Sequence, residues 1–432
     1  MSHSDLSARV PLRLPTATAT FAIAIAGYLG VNLSPYMITA LQTALGADVL
    51  TASWIVTGAL LATAIVGLAM APLCAGPRRL LVARAGLALG VVGFGAAALV
   101  PAPGVVVAGL LVGGAGAGGA VAAAGAALAA FRNPDRVAGF NGLANRGVIT
   151  IVLFVVPLIG LAPIDVFGAL ALFSLIGIAV SGWLPAAPVH APQAGAAVAE
   201  AVPVEIPPTG VVRAVPVRSA ATTRLVTIAG FTLLVTFALW AASEDSLWAM
   251  AGVMGAEQAA LTPEGLGLAL SGATAGGLIG SVLLMIVGDR FGRALPLGIL
   301  LGLGGLLKIV EGFTSDETSF IVVFIAWNSI YAVAFMYFVS TSAALDVDGR
   351  WSGPLLAVYL VGSSLTPVIG AGLVEVLGYQ GFAVALGIAS FVLAVPAIAV
   401  ARLSTRLQRA EADPSAGARP EASTTQTQEV TA

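Results

Sequence analysis

Cysteine occurs once in this 432-residue chain, at Cys74, lysine once, at Lys308, and histidine twice, at His3 and His190. A lone cysteine excludes a disulfide framework within the chain and a cysteine-based metal cluster. Both histidines lie in polar or low-complexity segments, so no histidine is available within the apolar body for a metal site or a proton relay. Charge is scarce as well: 9% of residues are charged, against about 25% in an average soluble domain. Hydrophobic residues make up 58%, and mean hydropathy is +1.00. Such a chain must be solvated mostly by lipid. Its net charge of −2 leaves no basic footprint for nucleic acid. No G-x-x-x-x-G-K-[ST] loop, H-E-x-x-H or G-x-S-x-G occurs, which excludes ATP hydrolysis, gives no support to an intramembrane enzyme, and implies no cofactor.

What the chain does have is long apolar runs. A helix crossing a bilayer needs about 20 mostly apolar residues. Twelve such stretches are expected, near 17–44, 51–73, 79–100, 104–131, 137–160 and 164–184, then 223–250, 263–288, 294–313, 318–345, 352–376 and 380–403. No alternating ten-residue pattern is present, so a β-barrel is excluded. The expected organisation is an N-terminal segment 1–16, a six-helix bundle 17–184, a Pro/Ala/Val-rich linker 185–222, a second six-helix bundle 223–403, and a disordered tail 404–432. The N-terminal segment is polar and the apolar stretch after it is of full spanning length, so it is expected to act as an uncleaved anchor.

Basic residues set the orientation. With the N-terminus inside, all but two of the 19 fall in cytoplasmic segments or at the span ends beside them. The opposite loops carry Asp48, Asp165, Glu257, Glu264, Asp316 and Glu317 and no basic residue. Insertion follows the Lys/Arg bias, so both termini are expected in the cytoplasm. The preference for Arg over Lys, with abundant Ala and Gly, points by composition to a GC-rich bacterial source and hence the inner membrane. The two remaining basic residues, Arg146 and Lys308, lie inside spans.

Six plus six spans suggest an internal repeat. "PLIG" at Pro157–Gly160 matches "PVIG" at Pro367–Gly370 at an offset of 210, and Gly76/Gly292 and Gly86/Gly302 match at an offset of 216. The loop after the eighth span reads "GDRFGRALPLG". There Gly292 supplies backbone freedom, Arg290 and Arg293 hold the inside face, and Asp289 can meet a helix N-terminus or an arginine. This loop, with the twelve spans and the central linker, resembles the major facilitator superfamily, whose G-x-x-x-D-R-x-G-R loop acts as a conformational latch. Met285 stands where the motif has its leading glycine. The first-half copy "PLCAGPRRLL" has no aspartate. The glycine-rich fourth span resembles that of the drug–proton antiporter branch, with Leu110 where that branch carries an arginine.

The resemblance implies an all-α membrane protein of two pseudo-symmetric six-helix bundles. The first, fourth, seventh and tenth spans would line a central cavity, flanked by the second, fifth, eighth and eleventh. In the first span Tyr28, Asn32, Tyr36, Thr39 and Thr43 fall at helical steps on one face, so that face lines a cavity or a helix contact. Aromatic stripes with polar groups occur in the seventh span, with Trp240, and in the tenth, with Asn328 and Tyr331. Arg146 lies roughly 13 Å into its span, near the midplane of a core about 30 Å thick, with Asn141 and Asn145 on an adjacent face. Two readings of it stand: a guanidinium clamp on a carboxylate or phosphate of the substrate, or a structural bond to another helix. Glu244 and, second, Asp245 are the candidates for proton coupling, although Glu244 also falls where water reaches the outer end of its span. Lys308, in the peripheral ninth span with Glu311 one turn beyond, is expected to snorkel toward the outer face.

The expected function is therefore a monomeric secondary transporter of a small organic solute, anionic or aromatic, working by alternating access with or without protons. Drug or metabolite efflux by the same fold, and a non-transporting receptor or scaffold, are the alternatives. The topology is directly testable: alkaline phosphatase fused after Asp48 or Asp316 should be active on intact cells, and after Glu200 inactive.

Overall fold

The computed structural model describes residues 10–132, 134–186, 220–287, 290, 292–345 and 351–412. Among these it is built from helices: α1 (Leu14–Asn32), α2 (Ser34–Leu45), α3 (Val49–Cys74), α4 (Arg79–Leu99), α5 (Pro103–Leu128), α6 (Pro134–Ile159) and α7 (Pro163–Val180), then α8 (Ala220–Ala259), α9 (Pro263–Val287), α10 (Ala294–Glu311), α11 (Glu317–Leu345), α12 (Ser352–Ser364) and α13 (Thr366–Ala412). Ten helices are long and apolar enough to cross a membrane. The expected tail begins later than residue 404, since α13 runs on to Ala412. Asp289, most of the linker and the tail beyond Ala412 lie outside the described residues.

Local chemistry explains the helix ends. Proline occupies the first turn of α1, α2, α5 and α7, where its missing N–H costs nothing. Asp48 caps α3 by accepting from the Thr51 N–H at 2.6 Å, and that bond holds its carboxyl below the usual carboxylate range. Two expected spans are interrupted. The first breaks at Leu33, just before Ser34 and Pro35 open α2, and the eleventh breaks at Leu365, between α12 and α13. In both places a proline sits two residues after the break; it has no N–H to donate to the carbonyl four residues earlier, and its ring clashes with that carbonyl, so the helix is interrupted there and restarts with proline in its first turn. Helix α13 itself is two rods meeting at Gly378 (φ 67°, ψ 173°).

The glycine-rich fourth span packs backbone against backbone. A Cβ added to Gly116 would sit 2.3 Å from the Gly86 carbonyl oxygen of α4, and one added to Gly114 would sit 2.2 Å from that of Ala59 in α3. Small residues are what such close approach needs.

The apolar core falls into three clusters. One is shared by both halves and joins Leu29, Tyr36, Leu41, Val56 and Leu153 to Leu247, Met250, Phe320, Phe324 and Phe382. It includes residues beside the turns at 46–48, 160–162 and 260–262, and we call this the sealed end. The other two belong to one half each: Ile23, Cys74, Leu87 and Ala124 in the first, and Phe237, Trp240, Leu297, Phe338 and Trp351 in the second. At the end opposite the seal, which we call the parted end, each half thus closes a core of its own. Cross-half bonds reinforce the seal: Trp248 Nε1 donates to the Asn32 carbonyl oxygen (3.2 Å), and the Val368 N–H donates to Thr57 Oγ1 (3.2 Å).

Backbone contact at Gly116 leaves no room for a methyl group. Gly116→Ala should cost about 1–3 kcal/mol by overpacking and lower the yield of monodisperse protein on size exclusion. Gly125→Ala, with nothing within 4 Å of an added Cβ, should not.

Candidate functional site

Between the halves lies a cavity of about 600 Å³. The first half contributes α1, α3, α5 and α6, and the second α8, α9, α11, α12 and the start of α13. Its α5 wall is Val121, Ala122, Gly125 and Ala126, so the glycine-rich helix both packs tightly and leaves space.

Arg146 projects into this cavity from α6. Its guanidinium lies over Gly277 of α9, where an added Cβ would be 2.7 Å from Nη1. The Arg146 carbonyl accepts from Thr150, but among the described residues the guanidinium itself has no hydrogen-bond acceptor and no carboxylate partner. The second expected reading of Arg146, a bond to a neighbouring helix, therefore finds no support. A charge inside the membrane carries a cost unless water, a partner or a ligand meets it.

The other expected residues divide. Asn145, Tyr28, Asn32, Asn328 and Tyr331 line the same cavity. Asn141, Tyr36 and Trp240 do not. Tyr36 is fully buried and donates to the Leu153 carbonyl at 2.6 Å, tying α2 to α6 within the first half. The single polar face expected in the first span is broken at Leu33, and Thr39 and Thr43 bond back to carbonyls of their own helix. Trp240 is buried between Tyr331 (centroids 5.3 Å) and Phe338 (4.8 Å). Asn141 is buried with its Oδ1 unpartnered.

The two acids are placed differently. Asp245 faces the cavity, accepting from Tyr331 Oη at 2.9 Å and from Ser363 Oγ, with Tyr359 Oη 3.4 Å from that of Tyr331. Glu244 is turned into the second half and is only 2% exposed. It pairs there with Lys308 at 2.8 Å and accepts from Trp327 Nε1 at 2.6 Å. Successive helical residues are about 100° apart, so one of the pair meets the cavity and the other the core. The expectation that water wets Glu244 fails because α8 continues to Ala259, past the span end expected at 250. Snorkelling of Lys308 is likewise corrected: the side chain is fully buried and reaches inward to Ser243 Oγ (2.9 Å) and Glu244.

Several lining residues escaped the sequence reading. Trp248 follows Asp245 by three residues on α8, and Ser363 follows Tyr359 by four on α12; spacing of one helical turn was the available signal. Of the latch residues, Gly292 takes the left-handed conformation (φ 65°), Arg290 is exposed, and Arg293 donates to Ser340 Oγ (2.9 Å) and Gln408 Oε1 (2.7 Å). Among the described residues no cluster of three or more His, Cys, Asp or Glu side chains could hold a metal.

No family model and no curated protein matches the chain. Solved structures do. A peptide transporter, POT, in complex with sulfate is 14% identical with a TM-score of 0.70, the alignment covering 94% of this chain and 99% of that one. A D-xylose–proton symporter is 14% identical at a TM-score of 0.63, covering 88% and 95%, and the nucleoside transporter NupG is 14% identical at 0.66, covering 90% and 99%. The chain shares its fold with these solved transporters, and ten helices among the described residues are long and apolar enough to make it a multi-pass membrane protein.

Trp248 is the one tryptophan, of six in the chain, among the cavity-lining residues. A solute that enters should change tryptophan fluorescence, and Trp248→Phe should remove more than half of that change while Trp54→Phe leaves it intact.

Proposed function

We propose that this chain is a secondary transporter of a small organic anion, with Arg146 as the clamp for the substrate's carboxylate or phosphate. The observation that carries this reading is the unpartnered guanidinium in the central cavity. An arginine can bind such a group through two parallel bonds, and its planar fork suits carboxylate and phosphate better than an ammonium does. Asn32, Asn145 and Asn328 add polar contacts, and Tyr28, Tyr331 and Trp248 offer aromatic faces for the remainder of the solute. That one neighbouring transporter binds sulfate agrees with an anion site in this fold.

In this reading the membrane body has twelve spans in two six-helix bundles. The ten apolar helices are joined by α9, and the two rods of α13 count separately at Gly378. The sealed end faces outward and the parted end the cytoplasm, as the basic residues require, so the cavity is caught open to the inside of a bacterial inner membrane. Rocking of the halves exposes it alternately, with the loop containing Asp289, Arg290, Gly292 and Arg293 as the latch. Asp245 is the coupling carboxylate, since it shares the cavity with Arg146 and sits on the opposite half; Glu244 is committed to Lys308. Aromatic lining by Trp248, Tyr331, Phe335 and Tyr359 favours a second reading, export of an amphipathic aromatic compound by the same cycle.

Thermal-shift screening of the purified chain with organic acids, sugars and lipophilic cations at two pH values selects the solute class, and flux of the hit into proteoliposomes follows. Arg146→Ala should weaken an anion's apparent affinity roughly tenfold or more, because hydrogen bonds to charged groups contribute about 1.5–3 kcal/mol. Asp245→Asn should keep flux down a gradient and lose its response to ΔpH. Undiminished anion transport by a folded Arg146→Ala protein would sink the proposal, and binding without flux in the wild type would favour a receptor.

A further inference from the structure

Away from the cavity, the second half buries a set of charges that the transport cycle described above does not use. Lys308 of α10 is fully buried, and of its three N–H donors it spends one on Ser243 Oγ and one on Glu244 Oε1. Glu244 also accepts from Trp327 of α11 and, at 3.4 Å, from Ser390 of α13. Glu311 is fully buried too, and neither of its carboxyl oxygens has a hydrogen-bond partner. It stands three residues from Lys308 on one helix, a spacing at which side chains are neighbours.

Two independent features oppose a negative charge on Glu311 in this arrangement. An ionised carboxylate buried without donors is costly. Glu311 is also the last residue of α10, and a helix C-terminus carries the negative end of the macrodipole. Around this set, α8 contributes Ser243, Glu244 and the buried, unpartnered Gln258 Oε1; α11 contributes Trp327, with Glu317 at the rim bound to Thr262; and α13 contributes Ser390 and the half-buried Tyr379. Among these described groups, Lys308 is the only cation. The ammonium is held by Glu244, and Glu311 lies one helical turn along the helix that carries it; neutrality of the three leaves one proton for the two acids to share.

We propose that Glu311 is the second partner of Lys308, and that Glu244, Lys308 and Glu311 form a proton-exchange site separate from the substrate cavity. In the arrangement seen, Glu311 is protonated and Glu244 is ionised against the ammonium. In the alternate arrangement Lys308 pairs with ionised Glu311, and the proton that leaves Glu311 resides on Glu244. Net charge is the same in both, so the exchange moves a proton from α10 to α8 without burying an uncompensated ion. The site has contacts in two directions. Glu311 adjoins the turn that carries exposed Phe313, Ser315 and Asp316. Glu244 bonds Trp327, whose ring is stacked on Tyr331 (centroids 6.3 Å), which in turn donates to the cavity's Asp245.

The test uses the purified full chain in nanodiscs and compares thermal unfolding of wild type, Glu244→Gln, Glu311→Gln and the double variant. Each single variant should stay folded, because Lys308 keeps one carboxylate, and the double should lose more stability than the two singles together, because the ammonium is then buried without a counter-charge. Additive losses, or an unfolded Glu244→Gln protein, would overturn the partner exchange. Infrared spectra give an independent reading. The C=O stretch of a protonated, buried carboxyl should be present in wild type and missing from Glu311→Gln, and also missing from Glu244→Gln, where Glu311 gives up its proton to pair with Lys308. A spectrum unchanged by Glu311→Gln would overturn the proton's placement.

Discussion

Lipid offers no hydrogen bonds, and most polar groups within the described helices are arranged around that single deficit. Most serines and threonines within the helices bond back to a carbonyl three or four residues earlier, as Thr20, Ser174 and Thr274 do. Polar groups that cannot be satisfied locally are spent on long-range ties: Tyr36 on Leu153, Trp248 on Asn32, Arg79 on the Cys74 and Pro185 carbonyls. Charges are handled in two different ways. The second half compensates Lys308 and Glu244 with each other, whereas Arg146 is left to a cavity wide enough for water or a solute. One cation is thus closed into an ion pair and the other left open to the cavity.

The same deficit explains why the halves meet as they do. At the sealed end, apolar side chains from both halves belong to one buried cluster, which holds Leu29, Tyr36 and Met37 of the first and Phe320, Phe324 and Phe382 of the second. At the parted end each half closes its own core, with small residues in the first and large aromatics in the second. The cavity lies between the two halves, in a fold shared with solved peptide, sugar and nucleoside transporters.

Much of this was legible in the residues themselves. Apolar runs marked the helices, and the one arginine inside the fifth run, Arg146, lines the cavity. Helical spacing picked out Tyr28 and Asn32 as neighbours on one face. What could not be read depended on phase or on partners. Tyr36 falls on the same nominal face, but the break at Leu33 rotates it away from the cavity. Glu244 and Asp245 are adjacent in sequence, and a small error in the direction of the helix face exchanges their roles. Lys308 looked exposed because its carboxylate lies 64 residues earlier, on another helix, and no local pattern announces such a partner.

The contact of α5 with α3 and α4 has a mechanical consequence. Where helices touch through side chains, a shift can be absorbed by a change of rotamer, and neighbours slide past one another. At Gly86, Gly114 and Gly116 no side chain intervenes, so there is nothing to give. These three helices behave as one stiff plate, and any hinge in the first half has to lie outside it.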